Sequence, residues 1–259
     1  MAHVLGPEGP LEVLVTGSGS PVTLFAHGLA GSIAETRPFG SGVHGTRVFF
    51  HFRSHGSSAA PETPWTYAVL EAELLSVRAA HDARRGLGVS LGAGALLRAA
   101  THQPDLFDRL VVILPAAIDE PRIGRAVERV EQMATYADKF DAVGLAAELL
   151  AEQPEQVRGR RIVQVWARQQ AEQLLEPTIR RMMRTIPLMS PLEDRLALAA
   201  IKCPVLVIGH EGDEAHPSRL VHELVEALPD AQGKVFGSGG VLWTHRAALR
   251  PLITDFLND

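Results

Sequence analysis

The feature that most constrains this chain is a rhythm. Short apolar runs bounded by turn residues recur at Leu11–Thr16, Val22–Ala26, Arg47–His51, Gly86–Val89, Leu110–Leu114, Val205–Gly209 and Gly233–Phe236, and such runs read as buried strands. Between them lie helical patterns: Tyr67–Ala83 and Leu91–His102 in the first half, Pro217–Leu228 and Arg246–Leu257 in the second. Strands that alternate with helices in this way predict an α/β chain with a mostly parallel, doubly wound sheet covered on both faces. The first two runs are separated by Gly17-Ser18-Gly19-Ser20-Pro21, which predicts a hairpin between them.

The rhythm breaks once. From Asp119 to Ala200 the residues are rich in Arg, Glu, Gln, Ala and Leu, and no strand is expected. Ile162-Val163 and Val165-Trp166 are too short and interrupted to make one. The expected organisation is therefore a split core, residues 1–118 and 201–259, with a helical insertion over 119–200. No low-complexity linker flanks the insertion, so it is not an independent domain. A chain of 259 residues suits this arrangement.

Composition removes several function classes. A net charge of −5 and the absence of a lysine-rich tract leave no basic field for nucleic acid. The opening MAHVLGPEGP has no charged segment followed by an apolar one, so no signal peptide is expected. No apolar run approaches the roughly 20 residues that cross a bilayer, so no membrane partner is expected. Cys203 is the single cysteine, which excludes an internal disulfide and fits a reducing, cytoplasmic setting. It reads as a small buried residue rather than a nucleophile.

Chemistry enters at Gly88-Val89-Ser90-Leu91-Gly92. This is the G-x-S-x-G pattern of a nucleophile elbow, placed where a strand turns into a helix. A strained turn there lifts the Ser90 hydroxyl above the sheet edge, and side chains two residues either way would collide with backbone. The Leu91 N–H, at the positive end of the following helix, points to where an oxyanion would form. After the strand ending at Ala26, His27-Gly28-Leu29 offers a second donor, the Leu29 N–H. His27 itself reads as structural rather than as a base.

An acid and a base are expected from two later loops. In His210-Glu211-Gly212-Asp213-Glu214-Ala215-His216-Pro217, Asp213 follows a glycine at the end of a strand and is the expected acid, with Glu211 the competitor and Glu214 more remote. In Gly237-Ser238-Gly239-Gly240-Val241-Leu242-Trp243-Thr244-His245, His245 is the only histidine and is the expected base.

Taken together these segments resemble the α/β-hydrolase fold superfamily over almost the whole chain. The order Ser90, Asp213, His245 is that family's triad order. His27-Gly28 resembles its oxyanion turn, and the helical interval resembles its cap. Phe52-Arg53-Ser54-His55-Gly56-Ser57-Ser58 resembles its Arg-Gly-x-Gly-x-Ser segment, with Ser54 for the first glycine and His51 where aspartate is common. In many members the histidine directly follows paired glycines; here four residues intervene before His245.

The resemblance implies a serine esterase-type hydrolase: His245 takes the Ser90 proton, Asp213 steadies the imidazolium, and Ser90 is acylated by a small, largely apolar ester, thioester or lactone. No cofactor is expected; no metal is expected either, because no zinc-type cluster occurs. Candidate pocket residues are His27, Trp166, Met182 and Trp243. The insertion's arginines, Arg158, Arg160, Arg161, Arg168, Arg180, Arg181 and Arg184, read as a solvated face, with an anionic substrate or carrier as the lesser reading. A lyase or oxygenase using the histidine without acylation, and a ligand receptor with residual hydrolysis, remain alternatives on the same fold. Oligomeric state is not legible.

Overall fold

The computed structural model describes residues 1–259. Eight strands form one sheet: β1 (Ala2–Gly6), β2 (Gly9–Thr16), β3 (Val22–Ala26), β4 (Thr46–Phe50), β5 (Arg85–Val89), β6 (Arg109–Ile113), β7 (Val205–His210) and β8 (Ala231–Phe236). Their spatial order is β1-β2-β4-β3-β5-β6-β7-β8. From β4 to β8 every neighbouring pair is parallel, while β2 runs antiparallel to both β1 and β4.

The expected hairpin between the first two apolar runs does not form. Chain reversal at Gly17–Pro21 is real, but β2 pairs with β4 and β3 lies one place further in, between β4 and β5. The residues explain the difference. Thr23–Ala26 are buried on both sides of the sheet, which suits a central parallel strand rather than a hairpin at the edge. The hairpin that does exist joins β1 to β2 at Gly6–Gly9. Strand β1 is largely exposed, so it lacks the apolar run that marks the others.

Ten helices complete the fold: α1 (Ile33–Thr36), α2 (Tyr67–His81), α3 (Leu91–His102), α4 (Arg125–Asp138), α5 (Ala142–Glu152), α6 (Glu155–Arg158), α7 (Arg161–Leu174), α8 (Pro177–Met182), α9 (Arg219–Ala227) and α10 (Arg246–Asn258). Period-two alternation divides the strand side chains between two buried layers. Leu24, Val48, Phe50, Leu110, Val112, Val205 and Val207 face the layer built by α2, α3 and α9. Phe25, Phe49, Leu87, Val111, Ile113, Leu206 and Ile208 face the other, which α10 closes with Leu249, Ile253, Phe256 and Leu257.

Helices α4 to α8 all fall between β6 and β7, so the strandless interval is helical. Its stem is narrow. Leu192 N donates to Ile118 O at 3.0 Å, and Arg195 grips Asp119 at 2.7 Å. The chain thus leaves and rejoins the core at adjacent points. Residues Arg195–Ala200 form a 3-10 turn against α3 and α9, on the core side of that stem.

Candidate active site

Ser90 sits at the carboxyl end of β5, in the centre of the sheet, with φ 49° and ψ −106°. That backbone is held rather than relaxed: Ser90 N donates to Ile113 O of the neighbouring strand at 2.9 Å, and Gly94 N returns to Ser90 O at 3.1 Å. The flanking glycines are required by contact. A Cβ on Gly88 would lie 2.5 Å from Gly92 O, and one on Gly92 would lie 2.6 Å from Ala26 O. Without those side chains α3 starts directly against β3 and β5, and the serine hydroxyl is turned outward.

The loop after β3 lies beside the serine: a Cβ on Gly28 would be 3.5 Å from Ser90 Cβ. Leu29 follows it, and Leu91 opens α3, whose first N–H groups have no acceptor within the helix. Three neutral histidines hold this loop. His55 Nε2 accepts from Ala30 N at 3.0 Å, and its Nδ1–H donates to Arg53 O. His51 Nε2 accepts from Ile33 N at 2.9 Å, with Nδ1 against Glu12 Oε2. His27 Nε2 accepts from Phe52 N while its Nδ1–H donates to Gly28 O. Burial first, then the neighbouring imidazoles His55 and His51, keeps the His27 pKa well below the ordinary value. His55 is pushed down to about 4, mainly by burial. Both His27 ring nitrogens are spent on backbone and the ring is 1% exposed, so its expected place in the substrate pocket is corrected: it supports the loop from behind.

The segment after β4 follows the same logic. Ser54, which stands where the resembling segment has glycine, has φ 62°, a left-handed conformation that glycine adopts at no cost. Arg53 is fully buried and donates from Nε to Glu73 Oε1 at 2.6 Å, with Glu8 against its other end. His51, in place of an aspartate, contributes the acceptor for Ile33 N described above.

The histidine that meets Ser90 is His216. Ser90 Oγ and His216 Nε2 are 2.9 Å apart, and His216 Nδ1 is 2.9 Å from Asp213 Oδ2. His245 is elsewhere: its ring stacks on Phe236 at 4.9 Å between centroids, and its Nε2 bonds Gly237 O at 2.9 Å. The expectation for His245 is therefore corrected. A single π-helical turn, Gly240–Thr244, places it at the start of α10, where its partners are Phe236 and Gly237 rather than Ser90. Strand order points to the loop after the last strand and so does not single out His216, which follows β7. The local signal was there: an aspartate three residues before a histidine builds a turn in which Asp213 Oδ1 accepts from Ala215 N and His216 N, leaving Oδ2 for the ring.

Asp213 has a second imidazole. His210 Nε2 lies 3.2 Å from Asp213 Oδ2 and its Nδ1 lies 3.0 Å from Glu211 O; serving both acceptors calls for a protonated ring. Burial opposes charge on His210, but the hydrogen bonds to Asp213 and Glu211 and the attraction of both acids raise its pKa overall. Burial likewise opposes charge on Asp213, and the electrostatic pull of the His216 ring with the hydrogen bonds from His210 and His216 outweighs it, holding the carboxylate well below its usual range. Glu211 is directed instead to Ser218 Oγ and Glu214 to Arg125, so Asp213 alone of the three acids faces the histidine.

Above this floor two tryptophans take part in polar contacts between the helical insertion and the core. Trp166 Nε1 on α7 donates to Glu35 Oε1 at 2.9 Å, and Gln170 Nε2, one turn on, donates to the same oxygen. Trp243 Nε1 donates to Gln153 Oε1 at 2.7 Å, and the Trp166 and Trp243 rings meet edge to face at 5.7 Å. Met182 closes α8, partly buried against the main core layer. No group of His, Cys, Asp and Glu is arranged to hold a metal ion, and no helix is long and apolar enough to cross a membrane.

The profile described as "Alpha/beta hydrolase family" matches residues 13–251. No curated protein matches the chain. Among solved structures it is similar to an enol-lactonase from Burkholderia xenovorans (21% identity, TM-score 0.81, 100% of each chain covered). It is also similar to an esterase from Exiguobacterium antarcticum (18% identity, TM-score 0.81, 99% of each). An alpha/beta hydrolase enzyme from a Medee basin deep-sea metagenome library aligns with TM-score 0.84 at 15% identity, covering 100% of this chain and 98% of that one. At these identities the likeness is one of fold.

Proposed function

The chain belongs to the alpha/beta hydrolase family, and from that premise we propose that it is a serine hydrolase that cleaves an ester-type bond through an acyl-enzyme on Ser90. The observation that carries the reading is the continuous chain Ser90 Oγ, His216 Nε2, His216 Nδ1, Asp213 Oδ2, with 2.9 Å at each link between residues. His216 accepts the Ser90 proton as Oγ attacks the carbonyl carbon, and Asp213 stabilises the imidazolium. The Leu29 and Leu91 N–H groups receive the oxyanion, each typically contributing about 2.7–4 kcal/mol. His216 Nε2–H then protonates the leaving group, and water, activated by the same nitrogen, releases the acid.

The substrate class is a small ester, thioester or lactone with an apolar acyl part. Support comes from the indoles of Trp166 and Trp243, which meet edge to face, and from Met182, partly buried among apolar side chains, a composition that suits apolar ligands. The enol-lactonase and esterase likenesses fit that class. The helical insertion serves as the cap. A reducing compartment such as the cytoplasm suits the single, buried Cys203.

The test is the intact mass of the protein after a fluorophosphonate, for wild type, Ser90→Ala, His216→Ala and His245→Ala. One adduct on wild type and on His245→Ala, and none on the other two, is the expected pattern. No adduct on folded wild type would overturn the reading.

A further inference from the structure

Two tryptophans join the cap to the core in opposite directions. Trp166 belongs to α7 of the cap, and its Nε1–H donates to Glu35 Oε1 of the core at 2.9 Å. Trp243 belongs to the loop after β8 of the core, and its Nε1–H donates to Gln153 Oε1 of the cap at 2.7 Å. The two rings meet edge to face, with centroids 5.7 Å apart and planes at 71°. An indole has one hydrogen-bond donor, so each ring commits its only donor across the boundary between cap and core. Resting on the hydrolase reading, we propose that Trp166 and Trp243 are positioning residues: together they form a reciprocal brace that fixes where the cap stands beside the oxyanion loop, and through the cap how substrate is bound.

Both acceptors are held in place by further bonds. Glu35 stands on α1, directly after the loop that carries Leu29, with its backbone N–H directed to Ser32 Oγ. Gln170, one turn along α7 from Trp166, donates to the same Oε1, and Oε2 borders Gly31, where a Cβ would lie 3.0 Å away. The tie from the cap therefore ends on the segment that continues the oxyanion loop. Burial pushes the Glu35 pKa up to about 7, against the hydrogen bonds of Trp166, Ser32 and Gln170; Oε1 accepts as a carboxylate oxygen or as a carbonyl, so the brace requires neither charge state. On the other side, Gln153 Nε2 donates to Leu149 O at 3.3 Å, and Gln153 O accepts from Arg158 Nε at 2.7 Å. Those bonds fix the amide and leave its oxygen to Trp243.

The brace also gives the loop after β8 a reason for its shape. At Gly240, with φ 72°, the backbone comes up against the cap: a Cβ there would lie 3.2 Å from Trp243 Cδ1, 3.8 Å from Pro154 Cδ and 4.0 Å from Gln153 Oε1. Thr244 Oγ1 donates back to Gly239 O at 2.7 Å, closing the turn that carries Trp243. The residues that separate His245 from the paired glycines are thus the ones that set Trp243 against the cap. With His216 meeting Ser90 from the β7 loop, the β8 loop is left to hold the cap.

The closing experiment changes the acceptors, because replacing an indole would also remove apolar surface from the pocket. Hydrolysis of p-nitrophenyl butyrate is followed in wild type, Glu35→Ala, Gln153→Ala, the double variant and Glu35→Gln. Each alanine variant should raise KM about ten-fold and leave kcat within about two-fold, since neither residue meets Ser90, His216 or Asp213. The double variant should raise KM by about twenty-fold, short of the roughly hundred-fold that independent contacts would give, because both bonds act through one ring pair. Glu35→Gln keeps an oxygen for Trp166 and Gln170 and should hold KM near wild type. Wild-type KM in both alanine variants, effects that multiply, or a loss confined to kcat would overturn the brace. Trypsin cleavage at the exposed cap arginines Arg160, Arg161 and Arg168 supplies a second arm that needs no substrate. Cleavage should be several-fold faster in the alanine variants and unchanged in Glu35→Gln; a wild-type rate in the double variant overturns the brace. Should an alanine variant fail to fold, Trp243→Phe, which keeps a ring without the donor, takes its place in the cleavage arm. If no variant hydrolyses the ester and wild type takes up no fluorophosphonate, the hydrolase reading fails while the cleavage rates still judge the brace.

Discussion

Two loops at the same end of the sheet each bring a histidine within a few residues of a strand, and they do opposite things. The loop after β7 is short and closes on itself: Asp213 accepts from the backbone N–H groups of Ala215 and His216, which aims the His216 ring at Ser90. The loop after β8 is glycine-rich, with Gly239 at φ 142° and Gly240 at φ 72°, and it spends its freedom on a π-turn that delivers His245 to Phe236 and the start of α10. Residue type is identical in the two loops. What separates them is whether a neighbouring carboxylate fixes the ring.

The sharpest way to break this contrast is Ser90→Ala beside His216→Ala. Each should cost on the order of 10⁶ in kcat, and the double variant little more, because the pair acts as one unit; a single-turnover assay would show it. Asp213→Asn should cost about 10⁴, since His216 loses both its tautomer and its orientation; full activity in that variant would dissolve the argument for the β7 loop. The scaffold opposite should announce itself in acid. His55 is held neutral with its pKa near 4, so the unfolded chain takes up the proton first, and stability present above pH 6.5 is lost as pH falls toward 4. Urea midpoints over that range should fall by the equivalent of about 3 kcal/mol from His55 alone, and His55→Asn should flatten the curve. His210→Phe removes one of two imidazoles from Asp213 and should change kcat/KM by about ten-fold at most, with a displaced pH profile. The smallest effect belongs to His245→Ala, within about three-fold of wild type; a loss matching His216→Ala would move the base to the β8 loop.

Much of the fold was legible because it rests on local signals. Val22–Ala26 and Leu91–His102 occupy the expected ranges, since an apolar run between turns and a helix following a glycine elbow depend on neighbours in the chain. Ser90 was legible for the same reason: the close approaches at Gly88 and Gly92 exclude any side chain. Strand order was not. Turn residues at Gly17–Pro21 announce a reversal, but which strand becomes the neighbour is decided by burial across the sheet. Exposed β1 carries no apolar signature at all. The histidine that meets Ser90 is not legible from strand order; the Asp213-to-His216 spacing, and the four residues between Gly240 and His245, are the informative details. Glu35 could not be found beforehand: its partners Trp166 and Gln170 are remote in sequence, and only the packed structure brings them together.

The adjacency of Ile118 and Leu192, joined by one backbone hydrogen bond, has a consequence for how such a chain changes over time. A segment whose two ends meet adds little strain to the strands it interrupts, and each doubling of a closed loop costs only about 0.6 kcal/mol of entropy. The stretch between those residues is thus free to lengthen, shorten or be exchanged while β6 and β7 keep their register. In such an architecture new specificities arise by replacing the roof, with the chemistry beneath inherited intact.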